Sequence, residues 1–306
     1  MALSGLQRRS VLASAAAAAI LAAGRVDAEI PVPATKPIPA TGEDLPVVGL
    51  GSWITFNVRL DPVGRDACAE VMRAFFAGGG RMIDSSPMYG SSEAVIGYGL
   101  DRLGAPPDLF AATKVWTTGR EAGPPQIAQS LRLWRVPRFD LVQVHNLVSW
   151  EEHLDTLQAM KSVGRLRYVG ITTSHGRRHD EVERIIRSRP VDFVQVTYNP
   201  IDREVEERIL PLALERGIAV IANRPFRGGP LARQLEGEPV PGWAGEIGCS
   251  SWPQLILKFI VSHPAVTCAI PATTRVDHVR ENMAAASAPM PDAAMRRRIP
   301  AALADI

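Results

Sequence analysis

From Leu45 onward, short apolar runs alternate with longer segments in which apolar residues recur at steps of three and four. Eight of the short runs read as buried strands: residues 47–53, 81–85, 109–115, 139–145, 168–173, 193–198, 218–223 and 266–271. Helical periodicity fills the gaps, most plainly over 65–77, 126–135, 151–163, 204–216 and 252–261. Repeated β-α units predict a parallel sheet, and eight of them within about 240 residues fit one closed (β/α)8 TIM barrel in a single domain. A doubly wound nucleotide-binding sheet is the structural rival. No G-x-G-x-x-G follows the first run, however, and the lone G-L-G-S there is a weak signal.

The ends of three runs carry ionisable groups. Gly78-Gly79-Gly80 breaks the chain before the second run, which ends on Asp84, and Pro87 and Gly90 then force a loop that carries Tyr89. SSEAVIGYGL follows, with a Ser at the N-cap and an acid in the first turn, so the loop is expected to be pinned between strand and helix. The third run carries Lys114 next to its last residue and the fourth ends with His145. Alone, each is an ordinary rim charge or packed residue. Together they would converge on the C-terminal rim of a parallel barrel, where function sits in that architecture.

The chain of 306 residues has 46% hydrophobic and 22% charged content and a net charge of +2, which argues against a nucleic-acid binder. Cys68, Cys249 and Cys268 are odd in number and lack metal-like spacing, so no disulfide framework or metal site is expected. The N-terminus is read apart from the barrel. Gln7-Arg8-Arg9-Ser10-Val11-Leu12 precedes an Ala-rich stretch, to about Ala23, that is too short and too weakly apolar to span a membrane. This leader resembles a twin-arginine export signal, with small residues near Val26-Asp27-Ala28 suiting cleavage. The resemblance implies the twin-arginine machinery as partner and a periplasmic location without stable membrane insertion, or a cytoplasmic one if the signal is not used. The expected division is a leader over 1–28, a Pro-rich extended tether over 29–44 and the barrel over 45–306.

Asp84, Tyr89, Lys114 and His145, in that order and at those separations, resemble the catalytic tetrad of the aldo-keto reductases. The likeness extends over roughly residues 45–287 through VVGLGSW, IDSSPMYGSSE, ATKVW, DLVQVHN, VGRLRYVGIT, VQVTYNP, GIAVIA and AIPATTRVDHVREN. It implies a barrel that binds NADP(H) and transfers hydride to or from a small-molecule carbonyl. Tyr89 would be the general acid and Lys114 the ammonium that lowers its pKa toward the working range. Asp84 would keep Lys114 charged, and His145 would hydrogen-bond the substrate oxygen. Trp53, Met88, Trp116 and Asn146 would line the substrate pocket.

The cofactor would touch Gly51, Ser52 and Trp53 after the first strand, and Thr172, Thr173 and Gln195 farther round, with Gln195 on the nicotinamide carboxamide. Asn223, Pro225, Phe226, Gly228 and Leu231 would follow the seventh strand, opening a Gly- and Pro-rich covering loop that runs to about Ser250. Ile270, Thr273, Thr274, Arg275, His278, Glu281 and Asn282 would hold the adenosine end, with Arg275 on the 2′-phosphate. Two departures stand out. Thr172-Thr173 replaces a common Ser-Asn, and Asn223 stands where a Tyr commonly stacks on the nicotinamide. They motivate a second expectation, an NADP(H)-binding barrel that senses or regulates with little turnover.

Overall fold

The computed structural model describes residues 32–287 and 289–306; the leader expected over 1–28 lies outside the described residues. The described part of the expected tether is no tether. β1 (Thr35–Pro37) and β2 (Asp44–Pro46) pair antiparallel, with Thr35 opposite Pro46. Ile38 and Leu45 are fully buried beside Met82, Phe110, Tyr168 and Phe193, so the hairpin seals the end of the barrel where the strands begin. Lys36 donates to the carbonyls of His263 and Val266, each at 2.7 Å. Burial, reinforced by the charge of Arg296, pulls its ammonium down to about 8. Glu43 accepts from Arg81 at 3.1 Å and Tyr168 at 2.9 Å and pairs with Arg167. Prolines tolerate a two-stranded edge because a missing N–H matters little there. Apolar burial against residues distant in sequence outweighs the local preference for an open chain.

The barrel strands are β3 (Leu50–Gly51), β4 (Met82–Asp84), β5 (Phe110–Val115), β6 (Phe139–His145), β7 (Leu166–Thr172), β8 (Phe193–Thr197), β9 (Ala219–Asn223) and β10 (Val266–Ala269). Each pairs in parallel with the next in chain order. Bridges from Val48 to Ala269 and from Gly51 to Ala272 join first to last and close the cylinder. A Cβ on Gly51 would lie 2.8 Å from the carbonyl oxygen of Ile270, so the closing seam needs glycine there. The eight expected strands are all present, but the first spans two residues because 47–49 bonds to Ala269 on the β10 side and to Ala34 just before β1.

The surrounding helices are α1 (Pro62–Ala77), α2 (Ser92–Leu103), α3 (Gly123–Trp134), α4 (Trp150–Ser162), α5 (His179–Ser188), α6 (Ile209–Arg216), α7 (Pro230–Gln234), α8 (Trp252–Val261), α9 (Val276–Ala284) and α10 (Ala293–Ala304). α3 begins three residues earlier than periodicity suggests, because Pro124 and Pro125 fit a first turn whose N–H groups have no helical acceptor. The single helix expected over 204–216 is split into a 3-10 turn at Glu204–Glu206 and α6. Pro211 explains the break, since in the interior of a continuous helix its ring would collide with the carbonyl of Glu207.

Candidate active site

The chemistry-bearing side chains leave the barrel at its C-terminal rim. β4 ends on Asp84, β5 carries Lys114 next to its last residue, and β6 ends on His145. After β4 the chain turns through a 3-10 segment, Pro87–Tyr89, capped by Ser86, whose Oγ accepts from Met88 N at 3.2 Å. The anchoring beyond Tyr89 differs from the expected simple N-cap. Ser91 makes no side-chain cap bond and instead joins Asn57 and Arg59. Glu93 turns inward and accepts from Thr113 at 2.7 Å, Ser130 at 2.9 Å and Trp134 at 3.1 Å. Burial pushes the Glu93 carboxyl up against those three donors. α2 is thereby locked to β5 and α3, and the Tyr89 loop is held at its far end.

Beneath Tyr89 lies a buried ion pair. Lys114 Nζ donates to Asp84 Oδ2 at 2.5 Å and to the carbonyl of Ser85 at 2.8 Å, and it sits 5.0 Å from the centroid of the Tyr89 ring. Burial alone would pull the ammonium down, but Asp84 and Tyr89 outweigh it and hold Lys114 above the ordinary lysine range. The second oxygen of Asp84 accepts from Gln143 at 3.1 Å and Gln195 at 3.0 Å, and Ser52 Oγ donates to the Asp84 backbone carbonyl at 2.9 Å. A buried ion pair is tolerable when its remaining lone pairs are satisfied in this way. Gly170 makes room for part of it, since a Cβ there would come within 2.9 Å of Gln143 Cγ.

Tyr89 departs from expectation in one respect. Burial disfavours the phenolate more than the Lys114 charge favours it, with Asp84 opposing Lys114, so the phenol is pushed up rather than brought toward neutrality. It keeps its proton throughout the neutral range. His145 meets Tyr89 edge to face, with centroids 5.6 Å apart, and its Nδ1 lies 2.8 Å from Ser86 Oγ. Burial, with Lys114 adding to it, pulls His145 down to about 2, so the imidazole is neutral.

These groups open into a cleft of about 1110 Å³, larger than the usual range of up to ~1000 Å³ for one small ligand. Asp84, Tyr89 and His145 line it, together with Trp53, Met88 and Asn146 of the expected substrate pocket. From the expected cofactor set, Gly51, Ser52, Thr172, Gln195, Asn223, Pro225, Phe226, Gly228, Ile270, Thr273, Thr274, Arg275, His278, Glu281 and Asn282 also line it. The expected covering loop supplies one wall, through Gly229, Arg233 and Val240 among others.

Three expected residues lie elsewhere. Leu231 is buried in the core between sheet and helices because α7 turns its apolar side inward. Thr173 is buried with its carbonyl occupied by Asn223 Nδ2 at 2.9 Å. Trp116 is 42% exposed outside the cleft, its backbone held at both ends by Gln126. Gln195 is also differently engaged, since its amide already serves Asp84 and Thr172. Asn223 likewise accepts from Thr197 at 2.7 Å, so both ends of its amide are taken. Arg275 occupies the N-cap position of α9 without a side-chain capping bond and pairs with Asp277, with Nε 3.0 Å from Oδ1.

Two participants were missed in the sequence. Gln143 lies two residues before His145 on the same face of β6, a polar residue in an apolar run, and that alternation is a readable signal. Arg224 lines the cleft, half-buried, and among the described residues no carboxylate pairs with it. Burial lowers its guanidinium, Asp202 opposes this, and Arg227 and Arg177 add to it. A cleft with Arg224, Arg233 and Arg275 on its walls and threonine hydroxyls before α9 has the donor set for a phosphorylated ligand.

Compared with known proteins, the sequence matches the aldo/keto reductase family over residues 47–298, more than half of the chain. The Bacillus subtilis aldo-keto reductase YhdN is 27% identical over 213 residues, covering 65% of this chain and 63% of its own length. Among solved structures, a thermostable aldo-keto reductase in complex with the inhibitor epalrestat superposes with a TM-score of 0.73 at 27% identity, covering 87% of this chain and 98% of its own. An aldo/keto reductase from Klebsiella pneumoniae in complex with NADP and acetate has a TM-score of 0.71 at 22% identity, covering 85% and 92%.

Proposed function

This chain belongs to the aldo/keto reductase family, and we propose that it is an NADP(H)-dependent oxidoreductase that reduces aldehyde or ketone carbonyls. The observation that carries this reading is the Asp84–Lys114 ion pair buried directly beneath Tyr89, with neutral His145 beside the phenol and both opening into the cleft. The Klebsiella relative is held with NADP. Here Thr273, Thr274 and Arg275 would hold the phosphorylated end of the cofactor and Arg224 a further phosphate, consistent with their place on the cleft wall. When bound, the cofactor supplies the hydride.

The chain's own residues do the rest. Trp53 and Met88 bound the space over Tyr89 and position an apolar carbonyl compound. Tyr89, protonated at working pH, donates its proton to the carbonyl oxygen as charge develops there. Lys114 stabilises the resulting phenolate, and Asp84 keeps the ammonium charged. His145 stabilises the same oxygen by hydrogen bonding. The sensing barrel with little turnover is motivated by Asn223, which offers no ring to stack on the nicotinamide. A binding role alone gives no reason for an ammonium and carboxylate buried under a phenol. Titration with NADPH and NADH, followed by a screen of aldehydes and ketones for NADPH oxidation, separates the two: tight binding without turnover of any carbonyl supports the sensor.

Arg275→Ala is expected to weaken NADPH binding about tenfold while changing NADH binding little, because only NADPH carries the 2′-phosphate. The guanidinium is exposed and shared with Asp277, which places the loss near the lower bound of a charge-assisted contact. Equal losses for both cofactors, measured by fluorescence titration, would remove Arg275 from phosphate recognition.

Export is part of the same proposal. Residues 1–28 would direct the protein to the periplasm by the twin-arginine route, on the strength of Arg8-Arg9 and the Ala-rich stretch after them. Replacing both arginines by lysine is expected to retain the protein in the cytoplasm. Cell fractionation that finds the unaltered protein wholly cytoplasmic with its leader intact would overturn this.

A further inference from the structure

The hydroxyl of Ser86 belongs to the turn that carries Tyr89, yet it reaches across to the imidazole on β6. Ser86 is fully buried, its backbone carbonyl accepts from Tyr89 N at 2.9 Å, and its Oγ accepts from Met88 N at 3.2 Å. The same Oγ lies 2.8 Å from His145 Nδ1. Two proton arrangements are open to this pair. If Nδ1 carried the hydrogen, Ser86 Oγ would accept twice and its own proton would face no acceptor among the described residues. Proteins avoid a buried donor left unpaired in this way. If Ser86 donates, every group in the chain Met88 N–H, Ser86 O–H, His145 Nδ1 is satisfied, and the imidazole hydrogen resides on Nε2. That nitrogen has no protein partner among the described residues, and His145 lines the cleft.

We propose that Ser86 is a positioning residue that fixes His145 as the Nε2–H tautomer and so makes it a hydrogen-bond donor toward the substrate oxygen. The proposal rests on the reductase reading for its consequence but not for its geometry. The opposite tautomer would present a lone pair to a carbonyl oxygen, two acceptors facing each other. Burial keeps the ring neutral, so a fixed tautomer, and not a charge, is the means by which this histidine can serve as a donor. Ser86 also ties the tautomer to the conformation of the Tyr89 turn, because one oxygen caps that turn and holds the ring.

The test begins with the unaltered protein, labelled with 15N in histidine and read by the nitrogen chemical shifts of His145. A single Nε2–H tautomer is expected, and an Nδ1–H tautomer overturns the proposal. Ser86→Ala is then expected to give mixed tautomers and to lower kcat about tenfold at unchanged NADPH affinity, the affinity serving as the check that the barrel has folded. Ser86→Thr, which keeps the hydroxyl on an extended backbone (φ −161°), is expected to restore both readouts. An alanine variant with wild-type tautomer and wild-type kcat also overturns the proposal. Should the protein reduce no carbonyl at all, the reductase reading fails while the nitrogen spectra still decide the tautomer.

Discussion

Tyr89→Phe is expected to lower carbonyl turnover by a factor on the order of 10² or more while leaving NADPH affinity almost unchanged, since general acid catalysis contributes about that much. The substitution removes one oxygen from a side chain whose ring packs against His145 and the Lys114 ammonium, so the barrel should be undisturbed. Its pH dependence adds a second check on the wild type. Burial, only partly offset by Lys114, raises the phenol, and the protonated form is the acid that reduction requires. Reduction should therefore run flat through the neutral range and decline only in alkali, beyond the ordinary tyrosine range. A variant within twofold of wild type, or a wild-type rate that falls through neutral pH, would take the proton-donor role away from Tyr89.

Lys114→Met should abolish turnover and also destabilise the fold. The ammonium is the direct partner of Asp84 at 2.5 Å, and both side chains are almost wholly inaccessible. Removing one member of a buried pair leaves the other charged and desolvated, at a typical cost of about 3–5 kcal/mol. Gln143 and Gln195 would still bond Asp84 Oδ1, which softens the penalty without neutralising the charge. Combining Lys114→Met with Asp84→Asn removes both charges and is expected to recover most of the stability and none of the turnover. Denaturant melts and assays on the single and double variants separate the two effects; a single variant that keeps activity excludes Lys114 from the chemistry.

The sequence reveals those parts of the site that depend on local order. Asp84 and His145 close apolar runs and Lys114 nearly does, and strand ends are readable because a buried run must stop somewhere. Pro87 and Gly90 likewise announce the Tyr89 loop. What is less legible depends on partners far along the chain. Ile38 looks like an apolar residue of a Pro-rich linker until Phe110, Tyr168 and Phe193 surround it. The Tyr89 phenol is expected to move down when only its nearest charge is considered, and it moves up because the surrounding protein excludes water. The amides of Gln195 and Asn223 match positions expected to meet a cofactor, but the residues already holding them, Asp84 and Thr172 for the first and Thr173 and Thr197 for the second, are distant in sequence and leave no local trace.

The hairpin that seals the barrel also bears on the order in which the molecule can assemble. Lys36 is made early, yet the carbonyls it holds belong to residues 227 and 230 positions later. During synthesis β1 and β2 cannot complete their docking until residues 263–266, which supply the acceptors of Lys36, have been made. Their docking is therefore among the last events of folding, and long-range closures of this kind are slow. A chain broken off before β10 cannot seat Lys36, so the protection of residues 32–46 from proteases reports on whether the barrel has been completed.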